Sequence, residues 1–285
     1  MALEKKNLLI RSLSGAVYIG LIIGAIVIGP IAAAILAGVF AALGAYELEN
    51  NTVRKDNPTN WVVTWAIDAV ALICLVFCMP VVNLEHAHYG FVLWVFMIFI
   101  RFVVQVFINQ QKPLKSIGIF ALEQFYLGVP LALFVVAAGF FPNPWFVVCA
   151  IAMIWINDTG AYLVGCTCGR HKMFPRLSPK KSWEGFWGGL LFNVGAAFIY
   201  YYCFDLRMEP FLGSVVGWIY IGICVSVFAT IGDLFESMLK RSIGIKDFGT
   251  LIPGHGGILD RIDSLLFVVP YVIFAVIVGC RVLVN

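Results

Sequence analysis

A chain of 285 residues that is 61% hydrophobic and only 12% charged, with a mean hydropathy of +0.94, excludes a single soluble core and belongs to the polytopic membrane class. The net charge of +3 argues nothing about nucleic acid, because topology and the membrane face account for the basic residues, and no nucleic-acid partner is expected. Six of the eight cysteines (Cys74, Cys78, Cys149, Cys203, Cys224 and Cys280) fall in apolar runs as small hydrophobes, and Cys166 with Cys168 lacks a second cluster to complete a zinc or redox site.

Apolar runs of spanning length predict an all-α fold with nine transmembrane helices, near 13–29, 31–49, 61–79, 89–108, 120–140, 144–166, 185–204, 212–235 and 264–283. Residues 1–140 form a scaffold region of five helices in this reading. Residues 141–285 form a catalytic region of four helices and two cytoplasmic polar loops.

The first run follows Lys5, Lys6 and Arg11 and precedes Ala32, Ala33 and Ala34, a pattern close to a secretory leader. Its apolar length exceeds the usual signal range and a second span follows at once, so it reads as an uncleaved helix. Gly29 and Pro30 separate the two; a single kinked element there would exchange the sides of every later loop.

With a cytoplasmic N-terminus, seventeen of the nineteen basic residues lie on the cytoplasmic side. They include Lys112 and Lys115, with Arg101 snorkelling toward them, and only Arg207 and Arg281 lie opposite. This bias sets the N-terminus inside and the C-terminus outside.

Charge at bilayer depth is costly, so each intramembrane acid asks for a reason. Asp68 has only Thr64 as a polar neighbour one turn away, and reads equally as half of an interhelical pair or as a functional group. Glu123 reads as a charge at a helix N-terminus. Asn157, Asp158, Thr159 and Gly160 concentrate polarity in the sixth span, with Tyr162 one turn on, which suits the lining of a cleft. The first polar loop then offers Ser178, Lys180, Lys181 and Ser182, with Ser182 as N-cap of the seventh span; a helix N-terminus beside lysines attracts phosphate.

Residues 233–263 hold five of the sixteen acidic and four of the nineteen basic residues. On a helix Asp233, Glu236, Ser237 and Lys240 share one face. Lys240 and Arg241 end that pattern, and Lys246, Asp247 and Gly249 follow. Pro253, Gly254, His255, Gly256 and Gly257 make a tight loop whose N–H groups can approach an anion. Asp260, Arg261 and Asp263 open the last apolar run. Carboxylates of this kind hold a hard cation, usually Mg²⁺ in phosphate chemistry, and the basic groups hold phosphate oxygens.

The run from Ser237 through Lys240, Arg241, Lys246, Asp247, Gly249 and the Pro253–Gly257 loop to Asp260, Arg261 and Asp263 resembles the signature of phosphatidate cytidylyltransferases over its whole length. The resemblance extends to Asp158, Gly160, Ala161 and Tyr162 and to Ser178, Pro179, Lys180, Lys181, Ser182, Trp183, Glu184 and Gly185, whereas the N-terminal half matches only in hydropathy. It implies transfer of a cytidylyl group from CTP to phosphatidate at the cytoplasmic face of the inner membrane, and a homodimer. Asp233, Asp260, Lys240 and Arg241 are then the candidate catalytic residues. Asp158, Ser178, Lys180, Lys181, Ser182, Lys246, Asp247, His255 and Arg261 bind substrate in this reading. Asp233, Asp260, Glu236 and Asp263 hold Mg²⁺, alone or with a second cation. A lipid or polyprenol kinase and an ion-coupled transporter use similar groups and are the alternatives.

Overall fold

A computed structural model describes residues 2–79, 87–141, 143–203, 214–252 and 256–284. The elements are α1 (Ala2–Ile28), α2 (Pro30–Asn51), α3 (Val53–Asp56), α4 (Trp61–Phe77), α5 (Ala87–Phe107) and α6 (Pro113–Glu123). A π-helical turn over Gln124–Gly128 leads into α7 (Val129–Phe140), followed by α8 (Pro144–Cys168), β1 (Lys172–Phe174), β2 (Ser178–Ser182), α9 (Trp183–Cys203), α10 (Val215–Ser242) and α11 (Leu259–Val284).

Among the described residues, six helical segments are long and apolar enough to cross a bilayer: Pro30–Asp56, His88–Phe107, Pro113–Phe140, Pro144–Cys168, Val215–Ser242 and Leu259–Val278. Ser12–Ile28 and Trp61–Phe77 are shorter apolar helices. The protein is thus a helical integral membrane protein. Among the described residues it departs from a purely helical chain in a two-stranded hairpin, where β1 and β2 pair antiparallel with Lys172 opposite Ser182 and Phe174 opposite Ser178, and in an isolated bridge between Ile252 and Gly256.

Two compact units make up the chain, one of residues 1–140 with 243–262 and the other of residues 141–242 with 263–285. In the first unit α1 and α2 are separate helices. Pro30 occupies the first turn of α2, and Gly29 takes a φ of 128°, which side-chain-bearing residues rarely adopt. The Tyr18 and Phe40 rings stack at 6.2 Å, whereas one continuous helix would hold them roughly 33 Å apart. The chain therefore folds back at Gly29. Ala33, Ala34, Ala37, Ala41 and Ala45 are wholly buried on α2, and small residues of this kind let neighbouring backbones approach.

Two expectations fail in this unit. Arg101 does not snorkel: it is fully buried and donates from Nε to Asp68 Oδ1 at 2.8 Å, from Nη1 to Gln105 at 2.7 Å and from Nη2 to Ser116 at 2.6 Å. The Asp68 carboxylate outbids water for the guanidinium, so Asp68 forms the interhelical pair and Arg101 leaves the topology tally. Glu123 is no N-terminal charge either. It ends α6, is buried, and the helix continues through the π-helical turn into α7.

In the second unit α8 and α9 are joined by glycines. A Cβ on Gly188 would lie 2.5 Å from Val164, and one on Gly189 would lie 2.6 Å from Asn157 Oδ1. Asn193 crosses to α10, donating to Ser226 at 2.9 Å, and the Phe228 ring stacks on Tyr271 of α11. Gly189→Ala is expected to cost about 1–3 kcal/mol through overpacking. Gly195→Ala on the same helix, where a Cβ meets nothing within 4 Å, is the control. Thermal melts in detergent check the pair, and an unchanged melt for Gly189→Ala would deny that this contact is tight.

Candidate functional site

In the first unit the signature loop is built around two carboxylates. Asp260, in the opening turn of α11, accepts the N–H groups of Phe248 and Gly257 on one oxygen, each at 2.9 Å. Glu47 of α2 accepts Ile258 N–H on Oε1 and Leu259 N–H on Oε2, both at 3.0 Å. Those are N–H groups at the start of α11, which no carbonyl within that helix can satisfy, and a buried negative charge there also complements the helix dipole. Asn51, one turn beyond Glu47, donates to Phe248 O at 2.6 Å.

The glycines follow from this packing. A Cβ on Gly257 would sit 2.5 Å from both Glu47 oxygens, and one on Gly249 2.5 Å from Oε1. Gly256 has a φ of 93°, and its carbonyl accepts Ile252 N–H at 2.9 Å to close the turn. Lys246, Asp247 and Arg261 are exposed on this unit, and the Arg261 carbonyl accepts the Tyr18 hydroxyl at 2.8 Å. Pro253, Gly254 and His255 lie outside the described residues.

In the second unit acids and ammonium groups alternate. Lys181 pairs with Asp233, and Lys240 pairs with the fully buried Glu236 at 3.1 Å. The predicted shared face of α10 holds for that pair. Asp263 interacts with Glu236 and lies near Asp233 and Lys240; its Oδ1 also accepts Ser264 N–H at 2.7 Å. Three carboxylates and two ammonium groups thus gather in this unit. Arg241 is exposed at the end of α10.

The β1–β2 hairpin presents the remaining candidates. Lys180 is exposed and Ser178 half-buried on β2. Ser182 caps α9 by accepting Gly185 N–H at 3.2 Å, as its spacing predicts. Asp158 and Thr159 are exposed on α8, whereas Asn157 is buried toward α9. The four acids of the expected metal set are therefore divided, Asp260 belonging to the first unit and Asp233, Glu236 and Asp263 to the second.

Glu184 locks the hairpin to the start of α9. Its carboxylate accepts Arg170 N–H and His171 N–H at 3.1 Å and meets His171 Nδ1 at 2.6 Å. Its own backbone N–H, the His171 side chain and the His171 and Arg170 N–H groups hold its pKa down to about 2 from the usual 4.5. A depressed carboxylate pKa stabilises the closed hairpin fully above 4.5, and that support is lost as pH falls toward about 2. Protection of the Arg170 and His171 amides, taken relative to their intrinsic exchange rates at each pH, should thus hold down to about pH 4.5 and fall below it. In Glu184→Gln that fall in protection should vanish, and protection in the unchanged protein that ignores pH across this window would contradict the lock.

Glu47 and Asn51 were not among the residues the sequence points to. The available signal was Glu47, Glu49, Asn50 and Asn51 crowding the end of an otherwise apolar run.

A model of the cytidylyltransferase family matches residues 9–278. Proteins named phosphatidate cytidylyltransferase are similar to the chain: one from Staphylococcus epidermidis is 43% identical over 125 residues, covering 44% of this chain and 46% of its own. One from Staphylococcus aureus is 43% identical over 127 residues, with the same coverage, and one from Staphylococcus haemolyticus is 42% identical over 125 residues. Each match spans less than half of the relative's length.

Proposed function

Because the chain belongs to the cytidylyltransferase family, we propose that it transfers a cytidylyl group from CTP to phosphatidate, releasing pyrophosphate and CDP-diacylglycerol for phospholipid synthesis. The observation that carries the reading is the alternation of Lys181, Asp233, Glu236, Lys240 and Asp263 within the second unit.

An oxygen of the phosphatidate phosphate forms a bond to the α-phosphorus of CTP while the bond from that phosphorus to the β-bridging oxygen breaks. The electron pair leaves with pyrophosphate. A phosphate monoester is already largely ionised at neutral pH, so no general base is needed. The protein's work is to hold two anions together and to stabilise charge on the leaving group.

In the second unit Lys181 and Lys240 supply fixed positive charge, and Lys180 and Arg241 receive phosphate oxygens. Ser178, Ser182 and Asp158 line the substrate path. The capped start of α9 adds an oriented N-terminal dipole. In the first unit Lys246, Asp247, His255 and Arg261 engage substrate. The set of carboxylates fits a hard divalent cation, with Asp233, Glu236 and Asp263 holding Mg²⁺ and Asp260 as the fourth acid. When bound, Mg²⁺ offsets phosphate charge and lowers the repulsion between substrates.

CTP is water-soluble and phosphatidate is held in the bilayer, so this reading sets the reaction at the cytoplasmic face of the inner membrane. Nine spans with the N-terminus inside and the C-terminus outside complete it, as does association of two copies. The deciding assay supplies purified protein in detergent with labelled CTP, phosphatidate and Mg²⁺. Pyrophosphate and CDP-diacylglycerol are the expected products. ADP formed from ATP would replace the reading by a kinase, and ion-dependent uptake without either product by a transporter.

A further inference from the structure

Three carboxylates converge in the first unit with too little positive charge to balance them. Glu49 of α2, Asp68 of α4 and Glu123 at the end of α6 each offer an oxygen, all within 4.8 Å of one another. Their exposures are 0%, 1% and 0%. Arg101 is the neighbouring cation, and its three nitrogens are directed to Asp68, Gln105 and Ser116.

Hydrogen bonds do not satisfy the set. Glu49 Oε2 accepts the Thr64 hydroxyl at 2.8 Å, but Glu49 Oε1, Asp68 Oδ2 and both oxygens of Glu123 have no hydrogen-bond partner. Glu123 carries the argument, since a wholly buried carboxyl aimed at two others is costly unless something occupies the space between them. Three negative charges against one guanidinium leave two to cancel, which is the charge of one divalent ion. The 4.8 Å bound is about twice the oxygen distance of hard divalent cations, 2.0–2.6 Å.

We propose that Glu49, Asp68 and Glu123 bind one hard divalent cation that ties α2, α4 and α6 together, using none of the acids assigned to catalysis. The alternative occupant is a pair of protons. Those satisfy Glu49 and Asp68 through a shared hydrogen bond, whereas neither Glu123 oxygen has a hydrogen-bond partner among the described residues.

The test uses the full chain in detergent, stripped with chelator and then dialysed against Mn²⁺ as the probe. Bound Mn²⁺ is counted by elemental analysis and electron paramagnetic resonance, alongside Tm. Wild type should bind one equivalent more than Glu123→Gln. The Mn²⁺-dependent rise in Tm should shrink by at least half in Glu123→Gln and in Glu49→Gln and persist in Asp233→Asn. Equal Mn²⁺ content in wild type and Glu123→Gln, or a higher Tm for that variant with unchanged Mn²⁺ content, would assign the cluster to protons and overturn the proposal. The double variant Asp233→Asn, Glu236→Gln keeps the test decisive if the Glu123 variant fails to fold. It should retain one bound Mn²⁺, and retention of none would overturn the proposal while leaving the catalytic reading standing.

Discussion

Asp260→Asn is expected to lower turnover about a thousandfold while leaving insertion and Tm near wild type. The asparagine can turn its carbonyl oxygen toward Phe248 and Gly257 and keep both 2.9 Å hydrogen bonds, so the loop retains its shape. What disappears is one full negative charge among the acids proposed to hold Mg²⁺. Asp260→Ala removes both the charge and the acceptor, and should lose activity and loop order together. The comparison separates charge from scaffolding: turnover by pyrophosphate release reads the first, and hydrogen exchange at Phe248 and Gly257 reads the second. Wild-type turnover in Asp260→Asn would reduce this residue to a loop clamp.

Glu47→Ala should be the most damaging change far from the catalytic acids in sequence. It strips both acceptors from Ile258 and Leu259 N–H at once. Each buried donor left unpaired costs about 1–3 kcal/mol, so the loss is roughly 2–6 kcal/mol, a large share of ordinary stability. Fast exchange at those two amides, a lowered Tm and loss of turnover are expected together. Glu47→Gln keeps one carbonyl acceptor and should fall between. Unaltered exchange at Ile258 and Leu259 in the alanine variant would show that another group caps α11.

Much of this was legible because its causes are local. Hydropathy places the helices, Gly29 and Pro30 announce the reversal between α1 and α2, and Ser182 stands three residues before the N–H it caps. Asp68 stood open between an interhelical pair and a functional group, since Arg101 looked bound for water. The three acceptors that bury Arg101 come from α4, α5 and α6, and no window of sequence contains them. Glu123 misled for a similar reason. Its helix begins at Pro113 and passes through a π-helical turn, so the apolar run starts well inside the element. The hairpin escaped notice because strands of three and five residues leave little periodicity. Glu47 was illegible as a loop residue because its partners lie 211 and 212 positions away.

That separation also has a meaning in time. Ile258 leaves the ribosome 211 residues after Glu47, which at about 5–20 residues per second is a wait of roughly 10–40 s. Throughout it the second helix of the nascent chain carries an acid with its eventual amide partners not yet made. A chain cut short before Ile258 therefore lacks both amides that Glu47 accepts in the folded protein, and the acid is left to find another partner or a proton.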